Sequence, residues 1–289
     1  MAGRSNSYDL LILGGDVVEL AAALDTARLG FRVLTVDIPE SEYTPEVIGN
    51  TYEVVREICS SLGIDTFVER DPEGQQQVLG IPANPFSEAV RVTLGTSGCW
   101  RVYLDRLRPL LRIGNDTNLH RLVSKRMGAK AWAQLVLPEL ERRFGRFADQ
   151  VSITAAAPGL IEATSRVGSL SSGVIEYILA DQRVAERVVI AGGVSALRDG
   201  LRKRLAHFAG ERMTVEKFLK KSISARTVMV GCGGDNLLAQ LSETRRAELM
   251  SSPLRNIGLS VDAPGYESAI PRAYAAGSEL RALLMTQAV

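Results

Sequence analysis

Residues 10–37 hold three pieces of pattern in a fixed order: a short run of branched apolar residues, a glycine pair leading into alanine-rich sequence, and a second apolar run ending in an acid. Leu10–Leu13 has no polar face, as a strand requires when both sides of its sheet are covered, and Gly14-Gly15 supplies the turn that follows. Ala21, Ala22 and Ala23 favour helix and are small enough to let it lie close on a sheet. Gly30 ends that helix, and Phe31–Val36 forms the next strand, which finishes at Asp37. Strand, tight turn, helix and strand with a terminal carboxylate make the first half of an α/β, Rossmann-like FAD/NAD(P)-binding scaffold, in which that carboxylate holds a ribose hydroxyl. Gly14, Gly15 and Asp37 are therefore candidate cofactor-binding residues.

Composition narrows the function classes. The 289 residues carry 34 basic against 33 acidic side chains, which excludes a generic polyelectrolyte binder, and 46% hydrophobic with 23% charged residues is the balance of a chain that buries a core. Apolar stretches such as Leu10–Leu13 and Val188–Ile190 end far short of the roughly 18–20 residues of a bilayer span, so no integral membrane segment is expected. Met1–Ser7 leads straight into the first strand without the pattern of a secretory signal, and a cytoplasmic location is the expectation. Three cysteines without CxxC spacing and two histidines give no disulfide framework, and no metal is expected.

The near-zero net charge is a cancellation. Residues 1–90 hold 5 basic and 15 acidic side chains, whereas residues 101–146 hold 11 and 4. Fields of opposite sign steer association, so the two blocks are expected to attract one another within the fold or to attract a partner, and an oligomer or protein partner subunit is an expectation. Arg101, Arg106, Arg108, Arg112, Lys125, Arg126 and Lys130 read as residues that solvate helix faces. They are not interleaved with exposed aromatics, and no zinc-finger or RNP-like pattern occurs, so nucleic acid is not an expected partner.

Further along, spacing predicts a helix over 45–62, mainly helical sequence over 81–187, and a helix over 116–128 capped by Asp116 or Thr117 and stopped by Gly128. A second helix over 129–140 contains Pro138. A strand and turn at Val188–Gly193 lead into a basic amphipathic helix, Thr227–Val230 is a late buried strand, and 269–285 is helical. Between Gly193 and Thr227 there is room for one helix and little else. The expected organisation is a dinucleotide-binding-like domain from 1–80 and 188–289, with an inserted helical substrate or partner domain at 81–187.

Several segments in order resemble the FAD-dependent protoporphyrinogen and coproporphyrinogen oxidases, within the wider amine-oxidase-like flavoproteins. The opening Leu11-Ile-Leu-Gly-Gly-Asp-Val-Val-Glu-Leu resembles that family's first FAD-binding turn, and Gly80-Ile-Pro-Ala-Asn-Pro its entry to the helical domain. Residues 116–138 are similar to its helix pair, Val151–Leu160 to the next helix, Gly192–Leu197 to the glycine-led helix returning to the FAD domain, and Ala269–Leu280 to the C-terminal helix. In Leu259-Ser-Val-Asp262 an aspartate stands where the family has a Gly-Asp pair, which makes Asp262 a fourth candidate cofactor residue by resemblance.

The departures gather on the cofactor site. Counting along the family's G-x-G-x-x-G turn gives Gly14, Asp16 and Glu19, so two carboxylates replace fingerprint glycines where a pyrophosphate would sit on a helix N-terminus. At an effective dielectric of about 20, unit charges ~4 Å apart repel by roughly 4 kcal/mol. A carboxylate there is also a good helix cap, which is the other role open to Asp16. The glycine- and arginine-bearing segment that wraps the cofactor is missing after Asp37, where the chain runs through Ile38-Pro-Glu-Ser-Glu. FAD is thus implied by the resemblance and opposed by the residues. His120 reads first as an exposed structural histidine and otherwise as a general base, Cys99-Trp100 as core packing or a pocket wall, and Met127, Trp132 and Leu135 as core or as walls of the hydrophobic cavity that the resemblance implies; no catalytic residue is assigned. The expected function is a diverged, oxidoreductase-like pseudoenzyme that acts through a hydrophobic small-molecule pocket or as a partner subunit of an enzyme complex. The alternative is an active FAD-dependent oxidoreductase dehydrogenating an apolar small molecule.

Overall fold

The N-terminal apolar run forms the middle strand of a parallel sheet covered on both faces. The computed structural model describes residues 7–38, 48–49, 53–70, 76–107, 118–145, 148–208, 210–260, 262–263 and 265–287. The first part of the chain gives β1 (Ser7–Leu13), α1 (Val17–Ala27), β2 (Val33–Asp37), β3 (Ile48–Gly49), α2 (Val54–Leu62), β4 (Thr66–Arg70), β5 (Gln77–Val78) and β6 (Ile81–Pro82). Helices follow as α3 (Glu88–Tyr103), α4 (Leu119–Arg126), α5 (Ala129–Ala131), α6 (Leu137–Phe144), α7 (Ile153–Ala156), α8 (Leu160–Val167) and α9 (Leu170–Ala180). The last part gives β7 (Glu186–Ile190), α10 (Gly193–His207), β8 (Glu211–Thr214), α11 (Val215–Lys220), β9 (Ser224–Val230), α12 (Gly234–Ala239), α13 (Glu243–Met250), β10 (Leu254–Asn256) and α14 (Tyr266–Gln287).

The main sheet has the order β10-β9-β1-β2-β8, and every pair in it is parallel. Alternate side chains of β1 feed two cores, as the two-residue period of a strand demands. Leu10 and Ile12 pack with α1, α10 and α14, whereas Leu11 and Leu13 pack with Phe218, Val228, Leu237 and Leu249 on the opposite face. Helix α1 is buried along almost its whole length, which its alanines permit, and this turns Glu19 into an interior residue. A third core has its buried members at residues 78–178, with Val184 and Ala185 packed against it, and fills the helical region.

Several expectations are corrected. Between Gly193 and Thr227 the chain fits α10 and also β8 and α11, so the sheet gains an edge strand. The predicted helix over 45–62 begins at Val54, with Ile48-Gly49 in a strand, and Pro45–Val47 lies outside the described residues. Strand β7 pairs antiparallel with β3 and β4 in a separate small sheet. Asp116 and Thr117 lie outside the described residues, and the cap of α4 is Asn118, whose side chain accepts the Arg121 N–H at 3.0 Å. Pro138, which has no N–H to donate, is preceded by a π-helical stretch at Trp132–Val136.

Of the insert's basic residues Arg106, Lys125 and Lys130 are exposed, as expected of groups on helix faces, whereas Arg126 is an internal tie. Arg126 is buried, with its Nε donating to the carboxylate of fully buried Asp105 and its Nη2 donating to the Asp105 and Gly168 carbonyls at 2.9 and 3.2 Å. Arg101 donates to the carbonyls of Arg126 and Lys125, Arg106 to that of Ala83, and Lys130 to that of Leu94. Arg108 and Arg112 lie outside the described residues. Met127 and Trp132 are core residues, Leu135 packs against them, and exposed His120 stacks on Trp132 with ring centroids 4.6 Å apart. Cys99 is buried while Trp100 is exposed beside Phe86 and Tyr103.

Gly80 supports a test of how the insert is seated. Its φ is +76°, and a Cβ there would lie 2.8 Å from Val136 Cα, a backbone atom that cannot move aside. Gly80→Ala is expected to destabilise the protein by about 2 kcal/mol in chemical denaturation. An unchanged midpoint would contradict this close approach.

Candidate functional site

A doubly wound sheet receives ligands outside the carboxyl ends of its strands, at the point where strand order reverses. Here that point lies between β1 and β9. Leu13 and Val230 pair at the strand ends, and the Gly231 N–H donates to the Leu13 carbonyl at 2.8 Å. The Gly14–Asp16 turn enters α1 on one side of this crevice, and the Gly231–Gly233 turn enters α12 on the other.

The structure brings three of the four candidate residues together. A Cβ on Gly15 would sit 3.1 Å from Asp37 Oδ1, so the glycine turn and the carboxylate at the end of β2 are in contact distance. Asp262 is not part of that cluster. It is an exposed turn residue ahead of α14 and lines a cleft of about 200 Å³ with Val78, Arg143, Phe144, Tyr177 and Ser268.

The carboxylates of the turn already have partners. Asp16 stands at the N-cap position of α1 but makes no side-chain cap, which corrects the capping role. It accepts instead from Arg198 Nη2 and Nε at 3.0 and 3.2 Å, and from the Tyr266 hydroxyl at 3.0 and 3.2 Å. Arg198 is 4% exposed and Tyr266 fully buried, so this network joins α1, α10 and α14 in the interior. Burial, and next the Asp16 charge, push the Tyr266 hydroxyl well above its ordinary pKa, which keeps it a donor. Asp37 is held by Arg212 of β8 at 2.6 and 3.3 Å. Arg202, one helical turn beyond Arg198, donates to the Gly15 carbonyl at 3.4 Å.

Glu19 is fully buried in the crevice. Its Oε1 accepts the Cys232 N–H at 2.7 Å, while Oε2 is buried without a hydrogen-bond partner. Burial, with the nearby Asp16 charge second, raises the Glu19 carboxyl from 4.5 to about 7. The sequence singled out Asp16 and Glu19 but not their partners. Arg198 and Arg202 share one face of α10, a signal that acquires meaning only once α10 is known to cover α1.

Among the described residues no group of three or more metal-ligating side chains gathers, and no helix is long and apolar enough to cross a membrane. No family profile matches the chain, and no curated protein matches it in sequence. Solved structures do match. A protein from Exiguobacterium sp. 255-15, named provisionally as a protoporphyrinogen oxidase, superposes with a TM-score of 0.55 at 17% identity over 84% of this chain. An oxidoreductase from Methanosarcina mazei also covers 84% of the chain at 12% identity, with a TM-score of 0.42. The chain spans 64% of the length of each of these proteins. The parallel sheet and the first of these superpositions agree with the α/β, Rossmann-like scaffold expected from the sequence, and in fold the chain is similar to that protein.

Proposed function

We propose that this chain is a diverged protoporphyrinogen-oxidase-like protein with an impaired FAD site, acting through a hydrophobic small-molecule pocket or as the partner subunit of an enzyme complex. The observation that carries the reading is the state of the nucleotide turn. Asp16, Glu19 and Asp37, which a dinucleotide would meet, are engaged by Arg198, Tyr266, the Cys232 amide and Arg212. A cofactor phosphate placed on the N-terminus of α1 would meet the Asp16 charge and the Glu19 side chain, so these residues do not fit FAD in its family seat. The reading keeps 1–80 and 188–289 as the dinucleotide-type unit and 81–187 as the insert that faces a ligand or partner. The separate core of residues 78–178 supports that division.

The second reading, an active FAD-dependent oxidoreductase acting on an apolar small molecule, draws on the cleft beside Asp262 at the start of α14. It needs the flavin held by contacts other than the glycine turn. Absorbance of freshly purified protein, followed by calorimetry with FAD, separates the two. The expected result is a colourless protein that gives no saturable FAD heat. A stoichiometric, tightly bound flavin spectrum would overturn the proposal in favour of the second reading.

A further inference from the structure

We infer that Glu19 is a built-in plug: its side chain occupies the phosphate seat between the ends of β1 and β9, so a dinucleotide is excluded by occupancy as well as by charge. The inference rests on the reading of an impaired FAD site and supplies its physical cause. Gly14 and Gly231 leave a gap at the two strand ends, and Glu19 fills it from the first turn of α1. A Cβ on Gly14 would lie 2.7 Å from Glu19 Cγ, and one on Gly231 would lie 2.5 Å from Glu19 Cδ. The two glycines are thus the walls of a slot fitted to this side chain.

The plug also uses the polar group that a phosphate oxygen would seek. The Cys232 amide opens the loop after β9 and is spent on Glu19 Oε1 at 2.7 Å. Asp16 at the head of α1 and Tyr266 on α14 are the charged and titratable groups that act on Glu19, and Arg198 on α10 pairs with Asp16. A simple core replacement would have left no polar atom stranded, yet Oε2 is buried without a partner.

The test rebuilds the fingerprint. Asp16→Gly with Glu19→Ala restores G-x-G-x-x-A from Gly14, leaves Arg198 without its carboxylate beside the α1 N-terminus, and opens the slot. ADP is the probe, titrated calorimetrically into wild type and the double variant at low salt, with circular dichroism checking that both are folded. At least a tenfold gain in ADP affinity over wild type is expected. A folded double variant with no gain would overturn the plug while leaving the impaired-site reading standing. Wild-type protein that carries flavin would overturn both. If the double variant does not fold, Glu19→Ala alone decides through hydrogen exchange, because loss of the plug is expected to speed exchange of the Cys232 amide at least tenfold. An unchanged Cys232 exchange rate would overturn the inference.

Discussion

Arg198→Ala is expected to destabilise the protein by about 3–5 kcal/mol, the loss that follows when one member of a buried ion pair is removed and the other stays charged in the interior. The Asp16 side chain is 19% exposed and that of Arg198 only 5%, so water cannot fully replace the lost guanidinium. Asp16 would keep the Tyr266 hydroxyl but face Glu19 with its charge uncompensated. The melting temperature should fall by roughly 6–10 °C for a chain of this size. Arg198→Met combined with Asp16→Asn removes both charges while keeping most of the packing, and it should cost less than Arg198→Ala alone. Equal losses in the two proteins would mean that Arg198 acts through packing, without a stabilising role for the ion pair.

Glu19→Gln should act in the opposite direction, and only above mildly acidic pH. The folded chain holds the Glu19 proton up to about pH 7, whereas an unfolded carboxyl releases it near 4.5. Between those values the folded state binds more protons than the unfolded state, so stability declines as pH rises from about 4.5 and levels off above 7. At about 1.4 kcal/mol per unit, the decline attributable to this one group is on the order of 3 kcal/mol. The carboxamide of the variant can still accept the Cys232 N–H but never has to be charged. Urea denaturation should therefore find variant and wild type close at pH 5 and the variant more stable by on the order of 3 kcal/mol at pH 8. Parallel stability profiles across that range would show that Glu19 has solvent or a partner in solution.

What could be read from the residues followed their range of interaction. The β1–α1–β2 unit is written in contiguous signals, namely an apolar run, a glycine pair, alanines and a terminal acid, and it stands where those signals place it. Strand β8 escaped notice because Glu211-Arg-Met-Thr is an edge strand with half-buried alternation and no branched apolar run. The small β3-β7-β4 sheet joins segments more than a hundred residues apart and has no local signature. Arg126 looked like a surface charge because its partner, Asp105, lies 21 positions away in the chain. At the candidate site the acids were visible as departures from glycine. Their consequence was not, because whether a carboxylate caps, repels or plugs depends on Arg198, Cys232 and Tyr266, which are brought in by tertiary structure alone.

The pairing of β1 with β9 sets the order in which this crevice can come into existence. Ser7 pairs with Ser224, and Leu13 with Val230, so the two halves of the site come from segments more than two hundred positions apart in the chain. The helical core of residues 78–178 draws its buried members from the single stretch between them. Until β9 and the turn after it are in place, the Glu19 side chain has no Gly231 wall and no Cys232 amide to meet. The slot and its occupant therefore depend on one and the same long-range pairing.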